Sequence, residues 1–440
     1  MSRTGQVTCV FVSAIALLLG IERGASAAGL TEEEVARRTA STSPLTEEKK
    51  RDLEAALAQR DKAISDFFPR LALSASYYRL SPVTNAPIAG FEIKSLENQT
   101  STSATLTVPL TDYVFRLVQA NDSARAQVTA SDQTLKAQER KTVYDGKTLY
   151  WQWVRSELEV AVANQNLELS KEHLARMKTL AAHDSASEAD VARVESSAAS
   201  AELVVLQQKN VVLLSRERLA IAMHATGPGD WQVAEDLRTN PPPPVALTDP
   251  ESLVRSAQSR RPEVQAANAS VLASTKQIEV ARAQAFPRLD AIANATMANP
   301  NQRRIPPTQD FHSSWQIGMQ LSYAPNDTAT GLSQTAAARA RADAADAKRR
   351  QLLDAVRSEV VEAVIAHRDA TASHETATRR LAAAETSYRA RRQLFENDRA
   401  TTVELTEAQT ELFRARLDVV QAAVGVRVAN ARLAYATGTP

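Results

Sequence analysis

The sequence predicts a mainly α-helical protein with a small β part: long coiled-coil hairpins assembled into a helical barrel, plus four strands per chain that contribute to a transmembrane β-barrel shared between chains. Three observations lead there. One segment is written twice, as FFPRLALSAS at 67–76 and AFPRLDAIAN at 285–294, each time where a helical pattern gives way to alternation. Two stretches, 113–182 and 329–397, run without proline in a chain with only 12 glycines and 5% aromatic residues, a composition of long helices. Beyond the N-terminal segment nothing is apolar enough to cross a bilayer as a helix, so a membrane-crossing form of this chain has to use strands.

Taken in order, residues 1–27 read as a secretory signal: Arg3, an apolar run from Val10 to Ile21, and the small-residue cleavage site ASA at 25–27. The run is too short for a spanning helix. Cys9, the only cysteine, leaves with it. That excludes a disulfide framework, a thiolate metal site and a cysteine nucleophile, and it argues against lipidation of a mature N-terminal cysteine. Arg3, Glu22 and Arg23 leave as well, so a chain of 52 basic and 51 acidic residues becomes balanced. Such a chain has no general attraction for nucleic acid.

The duplication keeps one register. Phe68, Pro69, Arg70 and Leu71 match Phe286, Pro287, Arg288 and Leu289 at an offset of 218; Pro44 and Pro262, Ala55 and Ala273, Gln59 and Gln277, and Ala63 and Ala281 share it. Each copy opens on a helix, 45–67 and 250–285. The FPRL proline stops it by removing an N–H and forcing the preceding residue out of helical geometry. Phe68 with Pro69, and Phe286 with Pro287, are therefore the helix-to-strand junctions. Hairpins follow over 70–111 and 289–324. Leu71, Leu73, Ala75 and Tyr77, then Ala104, Leu106, Val108 and Leu110, lie on one face of the first; Leu289, Ala291, Ala293, Ala295 and Met297, then Trp315, Ile317, Met319, Leu321 and Tyr323, on one face of the second. Each hairpin leads into a long helix and a shorter return, 113–225 and 329–437. The repeats thus span 28–227 and 250–440, joined by a Pro-rich linker at 228–249.

An isolated strand pair of this kind is ordinarily half of a soluble sheet. Here the opposite faces carry Ser, Thr, Gln and Asn, suited to a watery lumen, and the apolar faces carry aromatics near their ends, as lipid-facing strands do. Four strands cannot close a barrel, and open edges are not tolerated in lipid, so other subunits must complete it. The helices show a heptad seam. Leu405, Leu412, Val419, Val426 and Leu433 recur every seven residues with Ala408, Ala415, Ala422, Ala429 and Ala436 between them, and Leu353, Val360, His367, His374, Leu381, Tyr388 and Phe395 do the same in the preceding helix. This specifies side-by-side supercoiled packing with close backbone approach. A soluble coiled coil would read the same way. Only the strands and the signal favour an export-related tube, and an exported structural or adhesin-like coiled coil with a soluble β head stands as the alternative.

The paired FPRL segments, RRPEV at 260–264, and the turns HDSASEADV (183–191) and NDRATTVEL (397–405) together resemble the outer-membrane efflux protein family, TolC and its relatives, over nearly the whole mature chain. The resemblance implies a homotrimer in the outer membrane of a Gram-negative bacterium, with a twelve-stranded barrel in lipid and a long periplasmic α-barrel. It implies an exit duct for tripartite efflux or type I secretion, docked to a periplasmic adaptor and to an inner-membrane pump of the RND or ABC type. The turn residues Asp184, Ser187, Asp190, Asp398, Thr401 and Glu404 become the candidate docking tips, and Glu404 with Glu407 the candidate aperture. Relatives carry Gly where this chain has Asp184 and Asp398; aspartate accepts left-handed backbone better than most residues. Ser187 with Asp190 and Thr401 with Glu404 also read as helix caps. His367 and His374 share a face two turns apart, too far for an adjacent-turn metal pair, and packing is the expected role. No catalytic constellation, metal site or cofactor motif stands out: TGPGDW at 226–231 lacks a phosphate-loop lysine, and no nucleophile elbow occurs.

Overall fold

The computed structural model describes residues 29–82, 96–227, 229, 231–235, 249–305 and 308–439. The expected signal segment and most of the linker lie outside these. Among the described residues the helices are α1 (Glu32–Thr42), α2 (Pro44–Ser65), α3 (Leu110–Phe115), α4 (Leu117–Ala182), α5 (Glu188–Ala222), α6 (Pro250–Arg260), α7 (Pro262–Ala283), α8 (Pro325–Glu396) and α9 (Thr402–Thr437). The strands are β1 (Arg70–Arg79), β2 (Asn98–Pro109), β3 (Arg288–Asn299) and β4 (His312–Ser322). No described helix is long and apolar enough to cross a membrane.

Three helix boundaries differ from the sequence expectation. The helix expected over 250–285 is two, broken at Arg261, and the one expected over 45–67 is preceded by an unforeseen α1. Both breaks have one cause. Ser43 (φ −65, ψ 123) and Arg261 (φ −68, ψ 127) precede Pro44 and Pro262, whose rings exclude helical geometry from the residue before them. The duplicated proline was visible, and what it marks is a kink. The long helix expected from 113 is interrupted at Arg116 (φ −112, ψ −50), so α4 starts at Leu117.

The described residues form two compact units. One comprises the described residues within 29–50, 134–264 and 352–439. Its core gathers Tyr150, Trp153, Val154 and Leu219 with Val35 and Leu30, and further along Val356, Val360 and Ala363 with Val254, Leu433 and Ala436. Leu30 and Val233 form an isolated parallel bridge, tying described linker residues to the segment ahead of α1. The buried guanidinium of Arg261 pairs with Glu263 and Glu359 and lies 5.1 Å from the Tyr435 ring centre, which offsets the cost of burying a charge at the kink. At the end of α9, Gly438 takes φ +74, and Arg140 donates to the carbonyls of Gly438 (3.1 Å) and Thr439 (2.6 Å).

The other unit comprises Arg51–Gln133 and Gln265–Gln351. Its helical part packs on small residues, among them Ala126, Ala130, Ala269, Ala273, Ala338 and Ala342. Polar groups join them: Ser123 Oγ donates to the Ala273 carbonyl (3.0 Å) and accepts from Gln277 (2.8 Å), and Lys276 pairs with Asp122 (3.1 Å). The strands form one antiparallel sheet in the order β1-β2-β3-β4.

Candidate functional site

Two regions carry the residues singled out from sequence, the turns between long helices and the sheet with its junctions.

Both turns are built alike. Helix α4 ends with Asp184 N–H donating to Ala181 and Ser185 N–H to Leu180; α8 ends with Asp398 donating to Phe395 and Arg399 to Leu394. These are the two bonds of a Schellman stop, whose pivotal residue must be left-handed. Asp184 and Asp398 both have φ 54, so aspartate serves in the position where glycine would be free of strain. The next helices start on caps. Ser187 Oγ accepts from the Asp190 N–H (3.1 Å) and donates to the Asp190 carboxylate (2.6 Å). Thr401 and Glu404 form a reciprocal capping box: Glu404 N–H donates to Thr401 Oγ1 (3.3 Å), and Thr401 N–H to the Glu404 carboxylate (2.9 Å).

The turns are neighbours. The His173 and Phe395 rings meet edge to face at 5.6 Å, Arg176 pairs with Glu396 (3.2 Å), and Gln409 Nε2 donates to Ser170 Oγ (2.8 Å). The two candidate aperture acids differ. Glu404 is bonded by its cap and by Arg391 Nη1 (2.6 Å); the Thr401 N–H first, then Arg391, hold its carboxyl below the usual glutamate range. Glu407 is exposed, with no hydrogen bond or ion pair to a described residue. Arg391 escaped the sequence reading because a partner thirteen residues away across a turn follows no helical spacing. Further along the same hairpin, Arg380 bridges Glu411 (2.7 Å) and Asp418 (2.6 Å), lowering the Glu411 pKa.

The histidines pack. His367 is 1% exposed and neither ring nitrogen has a hydrogen-bond partner. Burial lowers the pKa of His173, with Arg176 adding to it, and that of His374, with Arg427 adding. No cluster of metal-ligating side chains occurs among the described residues.

The junctions repeat as closely as the sequence does. After α2, Phe67 and Phe68 N–H donate to Ile64 and Ser65; after α7, Ala285 and Phe286 donate to Arg282 and Ala283. Pro69 and Pro287 follow, and β1 and β3 begin at the next residues. Phe286 stacks on Phe115 at 5.6 Å, Phe68 is exposed, and Tyr113 Oη donates to the Phe67 carbonyl (2.6 Å). Leu289 N–H donates to Thr111 Oγ1 (2.6 Å), pinning β3 to the start of α3. Gly331 matters here: a Cβ on it would lie 3.0 Å from the Ala285 amide, so its absence lets α8 pass the second junction.

The register divides the sheet into two faces. Leu73, Ala104, Ala295 and Trp315 form one transverse row, and Leu71, Leu106, Ala293 and Ile317 the next. This face is bare: Trp315 is 70% exposed and Ile317 76%. On the other face Ala72, Thr105, Asn294 and Gln316 make one row, and Ser74, Ser103, Thr296 and Ser314 the next. Hydroxyls and amides bond across these strands, Ser74 to Ser103 (2.8 Å) and Asn294 to Thr105 (2.7 Å). Each outer strand, β1 and β4, pairs on one side only.

Long helical hairpins ending in capped turns, together with a sheet apolar on its open face, polar on the other and unclosed at both edges, define the subunit of a barrel-forming channel. The model of the outer membrane efflux protein family matches residues 38–223 and 253–439, and the chain belongs to that family, one of channels and not of enzymes. Solved structures share the fold. The outer-membrane channel OprN is 21% identical, with a TM-score of 0.77 over 93% of this chain and 90% of that one. CusC is 15% identical, with a TM-score of 0.80 over 96% of each. The Neisseria gonorrhoeae MtrE outer membrane channel in its open state is 14% identical, with a TM-score of 0.76 over 93% of this chain and 89% of that one. No curated protein matches the chain.

Proposed function

We propose that the chain is one of three identical subunits of a passive duct in the outer membrane of a Gram-negative bacterium, the exit of a tripartite efflux or type I secretion system. One observation carries this reading: a four-stranded sheet with a bare apolar face and one-sided outer strands. Unpaired backbone groups in hydrocarbon cost several kcal/mol each, by order of magnitude, so such a sheet is stable in a bilayer only as part of a closed barrel. Three copies give twelve strands, within the range of known outer-membrane barrels. Residues 1–27 would be the export signal, the repeats at 28–227 and 250–440 would each supply a strand hairpin and a helical hairpin, and 228–249 would join them.

The turns at 183–191 and 397–405 would form the periplasmic end. Asp184, Ser187, Asp190, Asp398 and Thr401 would meet an adaptor there, which couples the duct to an RND or ABC pump. Glu407, without a partner among the described residues, would supply the negative ring of the aperture, with Glu404 compensated by Arg391. The test is chemical crosslinking of outer-membrane protein followed by conductance in planar bilayers. Trimers should form pores blocked by divalent cations, and Glu407→Gln should relieve the block more than Glu404→Gln. A crosslinked ladder ending elsewhere than at three rejects the trimer. A soluble, non-conducting protein rejects the duct in favour of an exported coiled coil.

A further inference from the structure

The connection from β3 to β4 does something the duct reading does not require. Rather than standing away from the sheet, residues 300–304 fold onto its polar face. The buried amide of Asn301 donates to the His312 carbonyl (2.8 Å) and to Ser314 Oγ (3.2 Å). Arg303 donates through Nη2 to Gln316 Oε1 (3.0 Å) and through Nη1 to the Trp315 carbonyl (2.8 Å). Arg304 Nη1 sits against the His312 ring, 2.8 Å from Nε2 and 2.9 Å from Nδ1. Ser314, Gln316 and His312 all stand in the polar rows of the register. Both arginines are therefore anchored to the face that would line the lumen, at the sheet end away from the two junctions. A recess of about 330 Å³ remains between the folded segment and Asn294, Thr296 and Ser101 beneath it.

We propose that Arg303 and Arg304 form an anion-selecting station in the barrel mouth, which passes anionic solutes and holds back cations. The inference rests on the duct reading and adds to it the charge class of the solute. Charge on the face supports it. Arg70 and Arg288 also stand in the polar rows, Arg288 paired with Asp112 of α3 (3.6 Å), and Asp290 is the one carboxylate that the strands place there. The rest is Ser, Thr, Asn, Gln, Tyr78, His312 and a few apolar residues, which carry no negative charge to offset Arg303 and Arg304. Twelve strands ~4.8 Å apart and tilted by ~40° enclose a barrel roughly 24 Å across between backbones. Six guanidiniums reaching inward from three chains thus act over distances comparable with the Debye length of about 8 Å at physiological salt. Low-dielectric walls concentrate such a field, and rings of arginine or lysine are how pores select anions. Both side chains are already tethered, so little rotamer freedom is lost in presenting the charge.

The test is the reversal potential of wild-type trimers in planar bilayers under a potassium chloride gradient, compared with Arg303→Gln/Arg304→Gln and Arg303→Lys/Arg304→Lys. Wild type should prefer chloride, the glutamine pair should lower that preference by about threefold or more, and the lysine pair should keep most of it, since charge is the operative property. A wild-type channel that prefers potassium, a glutamine pair that keeps the preference, or a lysine pair that loses it overturns the proposal while leaving the duct intact. Assembled trimers with no conductance overturn the duct reading and this inference together.

Discussion

The α8–α9 seam and the four-stranded sheet are patterned with equal regularity, one every seven residues and the other every two, yet their apolar residues end in opposite surroundings. Leu412 and Ala415 are 2% and 0% exposed within a single chain. Ile317 and Trp315, just as strictly placed, stand in the open. The seam is satisfied by its own chain, because a helical hairpin brings the matching stripe back alongside. The sheet cannot be, because four strands in sequential order have no second layer to cover them. Apolar pattern alone states what a surface avoids, and the partner that covers it has to come from topology.

Two substitutions sharpen the contrast. Leu412→Ala should lower stability by about 2–5 kcal/mol, seen as an earlier denaturation midpoint of detergent-purified protein, since it leaves a cavity in a closed seam. Ile317→Lys should leave the helical seam unaffected but reduce insertion into lipid, by roughly 2–4 kcal/mol if the residue sits near the bilayer midplane; the readout is partition between vesicles and solution. Equal effects of Ile317→Lys in lipid and in a lipid-free state would place that face against protein.

A smaller effect separates two alanines of the same stripe. Ala415→Leu should cost about 1–3 kcal/mol by overpacking, and Ala422→Leu less, because Ala422 is only partly buried. The denaturation midpoints of the two variants measure the order, and the reverse order would mean that the seam closes differently in the assembled protein.

The smallest effect is a pH dependence confined to the helical hairpins. His173 and His374 have pKa values below the ordinary 6.5 because they are buried, beside Arg176 and Arg427 respectively. Their contribution is fully present above that value. It falls as pH drops below it, since the unfolded chain then binds protons that the folded chain refuses, and it levels off below the folded pKa. Midpoints measured between pH 7.5 and 5 should decline, and His374→Gln should flatten part of the slope. An unchanged slope in both His173→Gln and His374→Gln would assign the decline to groups other than these histidines; Glu404, whose carboxyl is held below the usual glutamate range, would lose its contribution only at more acid pH.

Much of this was legible. The seam positions Leu405, Val419, Val426 and Leu433 are all buried, and the alternating faces of β1 and β4 lie where period two puts them. The caps at Ser187 and Thr401 could be read because capping depends on residues three apart. The kink at Arg261 could be read from Pro262, because a proline excludes helical geometry from the residue before it. The pairing of Glu404 with Arg391 had no local signal.

The sequence by itself determined the long helices, the strands, their order, the duplication and the two chemical faces of each strand. Those follow from short-range rules: proline geometry, capping and periodicity act within a few residues. Only the tertiary structure decided which charges are spent inside the chain, as on Glu404, and which stay free, as on Glu407. It alone showed that Arg303 and Arg304 fold back onto the polar face. Those outcomes turn on contacts between segments that neither share a period nor lie in register with each other, where Coulomb and hydrogen-bond energies depend on distances that no spacing rule encodes.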